Sequence, residues 1–163
     1  MAAVLAERLG TGITANGEPS PVRPSNWDIE LATAEPALGE MARCYEKILS
    51  AGTVPVTVSS RCAVALATLP TVAETPTHAL VVWFDAHADL DTPDTTDIDH
   101  LGGLALFGPL GLRDPTFGRG LAASNVVFVG TREFDPFEQN LVDDGSVELV
   151  RVGRTWPRNS MHS

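Results

Sequence analysis

The stretch "VVWFDAHADLDTP" (81–93) is the most informative part of the sequence. Its apolar residues lead directly into Asp85, His87 and Asp89, which occupy every second position. Because alternate side chains of an extended backbone point to the same side, we expect these three to converge. Carboxylate and imidazole groups together favour a divalent metal such as Mn²⁺, Fe²⁺ or Zn²⁺. The spacing alone is equally compatible with a hydrogen-bonded loop histidine between solvated aspartates.

The composition is typical of one globular domain. The chain has 163 residues, 44% of them hydrophobic, which is enough to bury a core. The formal net charge of −10 leaves no basic surface for nucleic acid or an anionic membrane. Glu7 and Arg8 interrupt the start of the chain, where a secretory signal would be apolar, and no apolar run is long enough for a membrane span. We therefore expect a cytoplasmic protein. The two cysteines, Cys44 and Cys62, are too few for a disulfide framework.

Four short runs rich in apolar and β-branched residues predict the strands of a sheet. The strongest, "HALVVWF" (78–84), is apolar on both faces, as expected of a central parallel strand. Helical segments separate the runs, which is typical of an α/β fold with a mostly parallel sheet between helices. Ligands bind beyond the carboxyl ends of such strands, where Asp85 lies. The predicted strands are 53–58, 78–84, 125–130 and 146–152.

Helices are predicted ahead of the metal motif. Ser25 with Asp28 resembles a capping pair, and Pro36 suits the first turn of a new helix. From there, apolar side chains recur three or four positions apart until Gly52 ends the helix. A further helix is predicted over 62–69, closed by Pro70.

The segment "WFDAHADLDTPDTT" (83–96) resembles the signature of the arginase (ureohydrolase) family. That signature is Asp-Ala-His-x-Asp, followed in the arginase branch by Asn-Thr-Pro, and Thr92-Pro93 favours this branch. The resemblance covers most of residues 28–150 and implies a three-layer, arginase-like α/β fold. Further segments that fit the family are "VPVTVSSRCAVALATL" (54–69), "LGGLAL" (101–106) and "GTREFDPFE" (130–138).

The resemblance implies a binuclear manganese hydrolase that acts on a small guanidino or amidino substrate. In that family two Mn²⁺ ions share a hydroxide that attacks the guanidinium carbon of arginine and releases urea. Asp85 is then expected to bridge both ions, Asp89 to bind one and His87 the other. Asp135 is expected to recognise the α-amino group of the substrate, and family members form homo-oligomers. The further substrate-binding candidates are Asp91, at the position of a family asparagine, and a glutamate near Asp135, either Glu138 or Glu133.

Several further positions depart from the family pattern, Ile98 among them, which falls where the family has a substrate-binding serine. The first metal ligand of the family falls on Cys62, whose thiolate suits Zn²⁺ or Fe²⁺ better than Mn²⁺. The preceding Arg61 would repel a cation, and a small core residue is the alternative interpretation of Cys62. The proton-relay histidine of many arginases falls on Gly102. His100, two positions away, is the candidate substitute, and a solvated loop histidine is the alternative.

We expect residues 1–152 to form a partial arginase-like domain and 153–163 to be a tail. The family's second ligand motif, Ser-x-Asp-x-Asp, has no counterpart after Arg151, so one ion or none is expected in this chain. Three functional hypotheses follow. The chain is an amidinohydrolase completed by other sequence, a non-catalytic metal-binding or partner-binding module, or a mononuclear hydrolase on the same fold.

Overall fold

A computed structural model describes residues 1–18, 25–75, 79–97, 99–111 and 120–152. The α-helices are α1 (Ala2–Leu9), α2 (Trp27–Ser50), α3 (Ala65–Ala73) and α4 (Pro136–Asp143), and short 3-10 turns occur at Cys62–Val64, Leu101–Leu104 and Ala123–Asn125. The strands are β1 (Val81–Phe84), β2 (Val126–Val129) and β3 (Glu148–Val150). No helix in these ranges is both long and apolar enough to cross a bilayer.

The three strands form one parallel sheet in the order β1-β2-β3. Trp83 lies beside Phe128, and Phe128 lies beside Leu149. The parallel α/β architecture predicted from the sequence is therefore confirmed. Each observed strand is shorter than its prediction, and residue 78, where the first was expected to begin, lies outside the described residues.

The central strand of this sheet is β2, so the prediction that the 78–84 strand is central is wrong for the described strands. Val126 and Phe128 of β2 are fully buried. On β1, by contrast, Val82 is 44% exposed and Phe84 is 76% exposed. An apolar run predicts a strand with two apolar faces, but it does not reveal whether both faces are packed.

One face of the sheet is therefore covered and the other is not. Val81, Trp83, Val126 and Phe128 belong to the covered face, which packs in the larger core cluster with Leu90 and Leu106. We call the opposite side the open face; it carries Val82, Phe84, Val127, Val129, Glu148 and Val150.

The predicted strand at 53–58 is absent from the described structure. This segment is irregular, and Val54, Val56 and Val58 are 85%, 61% and 45% exposed. Pro55 has no N–H group to donate to a neighbouring strand. A composition rich in β-branched residues does not produce a strand unless the segment pairs with a neighbouring strand.

Proline lies inside two helices, where the sequence predicted helix boundaries. Pro36 lies within the single helix α2, and Pro70 lies within α3. Each proline removes one backbone hydrogen bond, at a cost of about 3 kcal/mol. Packing offsets that cost, because Leu38 of α2 is buried against Leu66 of α3 in a second core cluster. The sequence therefore predicted the presence of these helices. The helix boundaries that it predicted at the prolines were wrong, because tertiary contacts keep each helix continuous.

Candidate metal centre

Three side chains from two separate segments meet beyond the carboxyl end of β1. Cys62, Asp85 and Asp89 each offer one ligand atom, and these atoms all lie within 4.8 Å of one another. Cys62 begins the 3-10 turn that leads into α3, and Asp85 directly follows β1. The Cys62 Sγ lies 4.0 Å from Oδ2 of Asp85. We call this group the Cys62 cluster.

The backbone around Asp85 is held by the segment that follows β2. The Thr131 hydroxyl donates to the Asp85 carbonyl over 2.8 Å. The N–H groups of Arg132 and Glu133 both donate to the Ala86 carbonyl at 3.0 Å. These bonds continue the β1–β2 contact past the end of the sheet and fix Asp85 on a rigid element.

The extended backbone does not continue as far as Asp89. Asp89 has a φ of 53°, in the left-handed region that aspartate enters more readily than most residues. The flanking Ala88 and Leu90 are fully buried, and the Asp89 carbonyl accepts the Leu106 N–H over 2.9 Å. The expectation of one extended run from Asp85 to Asp89 is therefore wrong. Asp89 reaches Asp85 through a local turn.

His87 lies beside the Cys62 cluster. Its Nδ1 is 3.3 Å from Oδ1 of Asp85, and its Nε2 is 3.3 Å from Oε2 of Glu133. The side chain is 61% exposed. Of the three residues that the spacing groups together, the structure brings Asp85 and Asp89 into one cluster with Cys62. His87 lies outside this cluster, in contact with Asp85 and Glu133.

The charges of the cluster suit a cation. Burial, Asp89 and Asp85 together raise the pKa of the Cys62 thiol to about 11. Burial, followed by the charge of Asp85, raises the pKa of Asp89 above its ordinary value. Acidic groups held together in this way repel one another when ionised, and a divalent cation would relieve that repulsion. One thiol with two carboxylates is a donor set that fits Zn²⁺ or Fe²⁺ well, and Mn²⁺ through its oxygens. Cys62 is only partly buried and belongs to neither core cluster, so it is not a core residue.

His100 lies over Gly102. A Cβ built on Gly102 would lie 2.5 Å from Cε1 of His100, so the ring fills the space in which a side chain at 102 would begin. The Gly102 N–H donates to Nδ1 of His100 over 3.0 Å. Because Nδ1 accepts, the neutral ring carries its proton on Nε2.

The acidic side chains expected to bind substrate form a second group. Asp135 caps α4, and its Oδ1 accepts the Glu138 N–H over 2.7 Å. The buried carboxylate of Glu138 accepts the N–H groups of Leu90 and Asp135, at 2.9 and 3.0 Å. Burial, with the neighbouring Asp135 carboxylate, raises the pKa of Asp91 to about 7. Oδ2 of Asp135 is buried, and no N–H or hydroxyl group of the described residues donates to it; a hydrogen bond between the Asp91 and Asp135 carboxyl groups contributes to the raised pKa of Asp91.

The sequence interpretation missed two structural features of the site. The capping box of α4 was readable as Asp135-Pro136 followed by Glu138, which is a standard helix start. Glu30 of α2 contacts Arg61, the neighbour of Cys62, and no sequence signal predicted that long-range pair.

Comparison with known proteins shows which family the chain resembles. The sequence profile of the arginase family matches residues 21–160. The N(omega)-hydroxy-L-arginine amidinohydrolase of Streptomyces lavendulae is 36% identical over 152 residues, which cover 93% of this chain and 56% of that protein. The arginase of Bacillus caldovelox is 23% identical over 119 residues, or 69% of this chain and 40% of that protein.

Solved structures show the same fold. The Bacillus caldovelox arginase has a TM-score of 0.74 at 22% identity, over 89% of this chain and 53% of that chain. A cold-adapted arginase from the yeast Glaciozyma antarctica has a TM-score of 0.69 at 24% identity, over 90% of this chain and 53% of that chain. The chain spans about half the length of these relatives. Because the family profile matches most of the sequence, the chain belongs to the arginase family.

Proposed function

We propose that this chain supplies the Cys62, Asp85 and Asp89 part of a metal-dependent hydrolase that cleaves a guanidino C–N bond. The observation that carries the proposal is the convergence of three ligand atoms within 4.8 Å at the end of a parallel strand. The names of the matched relatives, arginases and an N(omega)-hydroxy-L-arginine amidinohydrolase, support a substrate of the arginine type.

The proposed cofactor is one divalent cation per chain, held by Cys62, Asp85 and Asp89. Manganese is the metal proposed from the family resemblance, and the thiol makes Zn²⁺ or Fe²⁺ the alternative. When bound, the cation supplies Lewis acidity that activates water for attack on the guanidinium carbon. His87, in contact with Asp85, is the proposed additional ligand. To bind the cation, its ring would have to rotate so that Nδ1 no longer faces the Asp85 carboxylate.

His100 is the proposed proton-transfer residue. Its ring fills the space beside Gly102, where the family resemblance expects a relay histidine. The hydrogen bond from the Gly102 N–H to Nδ1 orients the ring and leaves the proton on Nε2. An imidazole is suited to this task because one ring nitrogen can accept a proton while the other donates one.

Asp135 and Asp91 are the proposed contacts for the cationic α-amino end of the substrate. No N–H or hydroxyl group of the described residues donates to Oδ2 of Asp135, and an ammonium hydrogen of the substrate could replace the proton that Asp91 and Asp135 share. Glu138 was expected to bind substrate, but its two oxygens already accept backbone N–H groups. We therefore propose that Glu138 contributes by fixing Asp135.

The remaining proposals concern the molecule as a whole. Residues 1–152 are proposed as a partial domain, and residues 153–163, which lie outside the described residues, as a tail. A cytoplasmic location and self-association are proposed from composition and from the open face.

Metal analysis combined with an activity assay tests the proposal. The protein is dialysed with Mn²⁺ or Zn²⁺, and urea or hydroxyurea release is measured with L-arginine and its N-hydroxy derivative. We expect about one tightly held cation per chain and product release that Asp85→Asn abolishes. Asp94 is exposed on the neighbouring loop, and Asp94→Asn makes the same chemical change there. This control should leave the bound cation and the product release unchanged.

The second candidate function is metal binding without hydrolysis. It is favoured by the small ligand set, since the three residues of the Cys62 cluster are the only metal-binding group found among the described residues. One bound cation with no product from either substrate would support this alternative, and absence of bound cation would contradict both.

A further inference from the structure

Arg61 carries a positive charge directly before a proposed metal ligand. A guanidinium stays ionised at every physiological pH, and an unpaired one beside a cation would weaken the binding of that cation. The Arg61 side chain is 42% exposed, and its NH1 lies 3.1 Å from Oε1 of Glu30. Its backbone is extended, with φ of −149° and ψ of 153°.

Glu30 lies in the first turns of α2 and joins two loops that flank the site. Oε1 pairs with Arg61, and Oε2 accepts the Leu101 N–H over 3.2 Å. The side chain is only 14% exposed. NH1 of Arg61 also lies 3.5 Å from Nε2 of His100. Because that nitrogen carries the ring proton, this is a contact between two donor groups and not a hydrogen bond.

We propose that Glu30 is a positioning residue for the metal centre, because its carboxylate neutralises Arg61 and holds the guanidinium away from the cation bound by Cys62, Asp85 and Asp89. The inference rests on the proposed function. It explains how an arginine is compatible with a cation site one residue later. Burial raises the pKa of Glu30, but the Arg61 and Leu101 hydrogen bonds outweigh it and hold the pKa below 4.5, so the carboxylate is ionised at neutral pH.

The substitution Glu30→Gln separates charge from structure. A glutamine has nearly the same shape, and its amide oxygen can still accept the Leu101 N–H. The negative charge opposite Arg61 is lost, and Arg61 is then free to turn toward the cluster. The second substitution, Arg61→Met, removes the positive charge and keeps an unbranched side chain.

The test is a double-mutant cycle on metal affinity. Binding of Zn²⁺ alone is measured by isothermal titration calorimetry for the wild type, Glu30→Gln, Arg61→Met and the double variant. Exposed Glu40, on the same helix, provides the matched control Glu40→Gln. Circular dichroism and a thermal melt check that each variant is folded.

We expect Glu30→Gln to weaken Zn²⁺ binding about tenfold, as an uncompensated charge near a divalent cation should. The double variant should return to within about threefold of the wild type, because the charge that Glu30 neutralises is also gone. Glu40→Gln should have no effect. If Glu30→Gln weakened binding because the protein no longer folded, the added Arg61→Met substitution would not restore Zn²⁺ binding.

Two results would overturn the inference while leaving the proposed metal centre intact. One is a Glu30→Gln variant that binds Zn²⁺ as tightly as the wild type. The other is a double variant that remains as weak as Glu30→Gln. If the wild type itself binds no Zn²⁺, the proposed function and the role of Glu30 are both wrong.

Discussion

The backbone N–H of Leu90 donates to Oε1 of Glu138 over 2.9 Å, which ties the loop behind Asp89 to the first turn of α4. The other oxygen of Glu138 accepts the Asp135 N–H over 3.0 Å. One buried carboxylate therefore joins the segment that follows β1 to the segment that follows β2. The Glu138 carboxylate thereby fixes the position of Asp89, a proposed metal ligand, relative to Asp135, a proposed substrate contact.

Loss of this carboxylate should destabilise the protein. Glu138→Ala leaves two backbone N–H groups without a partner, and we expect a loss of roughly 2–4 kcal/mol in the free energy of unfolding. Glu138→Gln keeps one acceptor and should lose about half as much. Urea denaturation measures both, with the exposed Glu148→Gln as control. Equal stability of Glu138→Ala and the wild type would contradict this role.

A methyl group at position 102 should displace His100. The Cβ of Gly102→Ala would lie 2.5 Å from Cε1 of the His100 ring, closer than such atoms pack, so the ring must move. We expect product release to fall about as far as in His100→Ala, while Zn²⁺ affinity stays within about twofold because the ligands of the Cys62 cluster are untouched. Gly12→Ala, at an exposed position where a Cβ would meet open space, controls for glycine replacement in general. Full activity in Gly102→Ala would rule out His100 as the proton-transfer residue.

Glu30 should make stability depend on pH. Its pKa is lowered in the folded protein, so the ionised form stabilises the fold above the ordinary value of 4.5, and this contribution is lost as the pH falls below that value. The wild type should therefore be more stable than Glu30→Gln at pH 7, and the difference should shrink below about pH 4. Thermal melts of both proteins across this range measure the difference. A difference that grows as the pH falls would have the wrong sign.

The open face should bind apolar probes. Phe84 is 76% exposed and shares the open face with Val82 and Val150, which are each 44% exposed. Exposed apolar side chains grouped on one face favour binding of apolar partners. Replacement of Phe84 with Ser should lower the fluorescence of a hydrophobic dye and reduce concentration-dependent self-association in sedimentation experiments. The change should not disturb the core, because the side chain faces solvent. Unchanged dye binding in Phe84→Ser would show that the face is covered in solution.

Local sequence patterns predicted much of the fold, because the apolar runs that form β1, β2 and β3 carry their own signal. The position of Asp85 at the end of a strand followed from the same pattern. Local patterns failed where long-range packing decides the outcome. Pro36 did not begin a helix, since the contacts of α2 with α3 maintain one continuous helix.

The membership of the Cys62 cluster was only partly predictable. The spacing grouped His87 with Asp85 and Asp89, but the left-handed turn at Asp89 and the contact of His87 with Glu133 are tertiary features. Cys62 was a candidate only through the family resemblance, and its distance to Asp85 depends on how the turn before α3 packs. The Glu30–Arg61 pair joins residues from different elements, so no local pattern could reveal it.

Anomalous diffraction from crystals grown with Zn²⁺ tests the central claim most directly. We expect one strong peak within bonding distance of Sγ of Cys62 and of carboxylate oxygens of Asp85 and Asp89, at about 2.0–2.3 Å. The same peak should be missing in Asp85→Asn crystals grown under identical conditions. A wild-type map that shows only solvent between those three side chains, or a zinc ion bound elsewhere, would contradict the assignment.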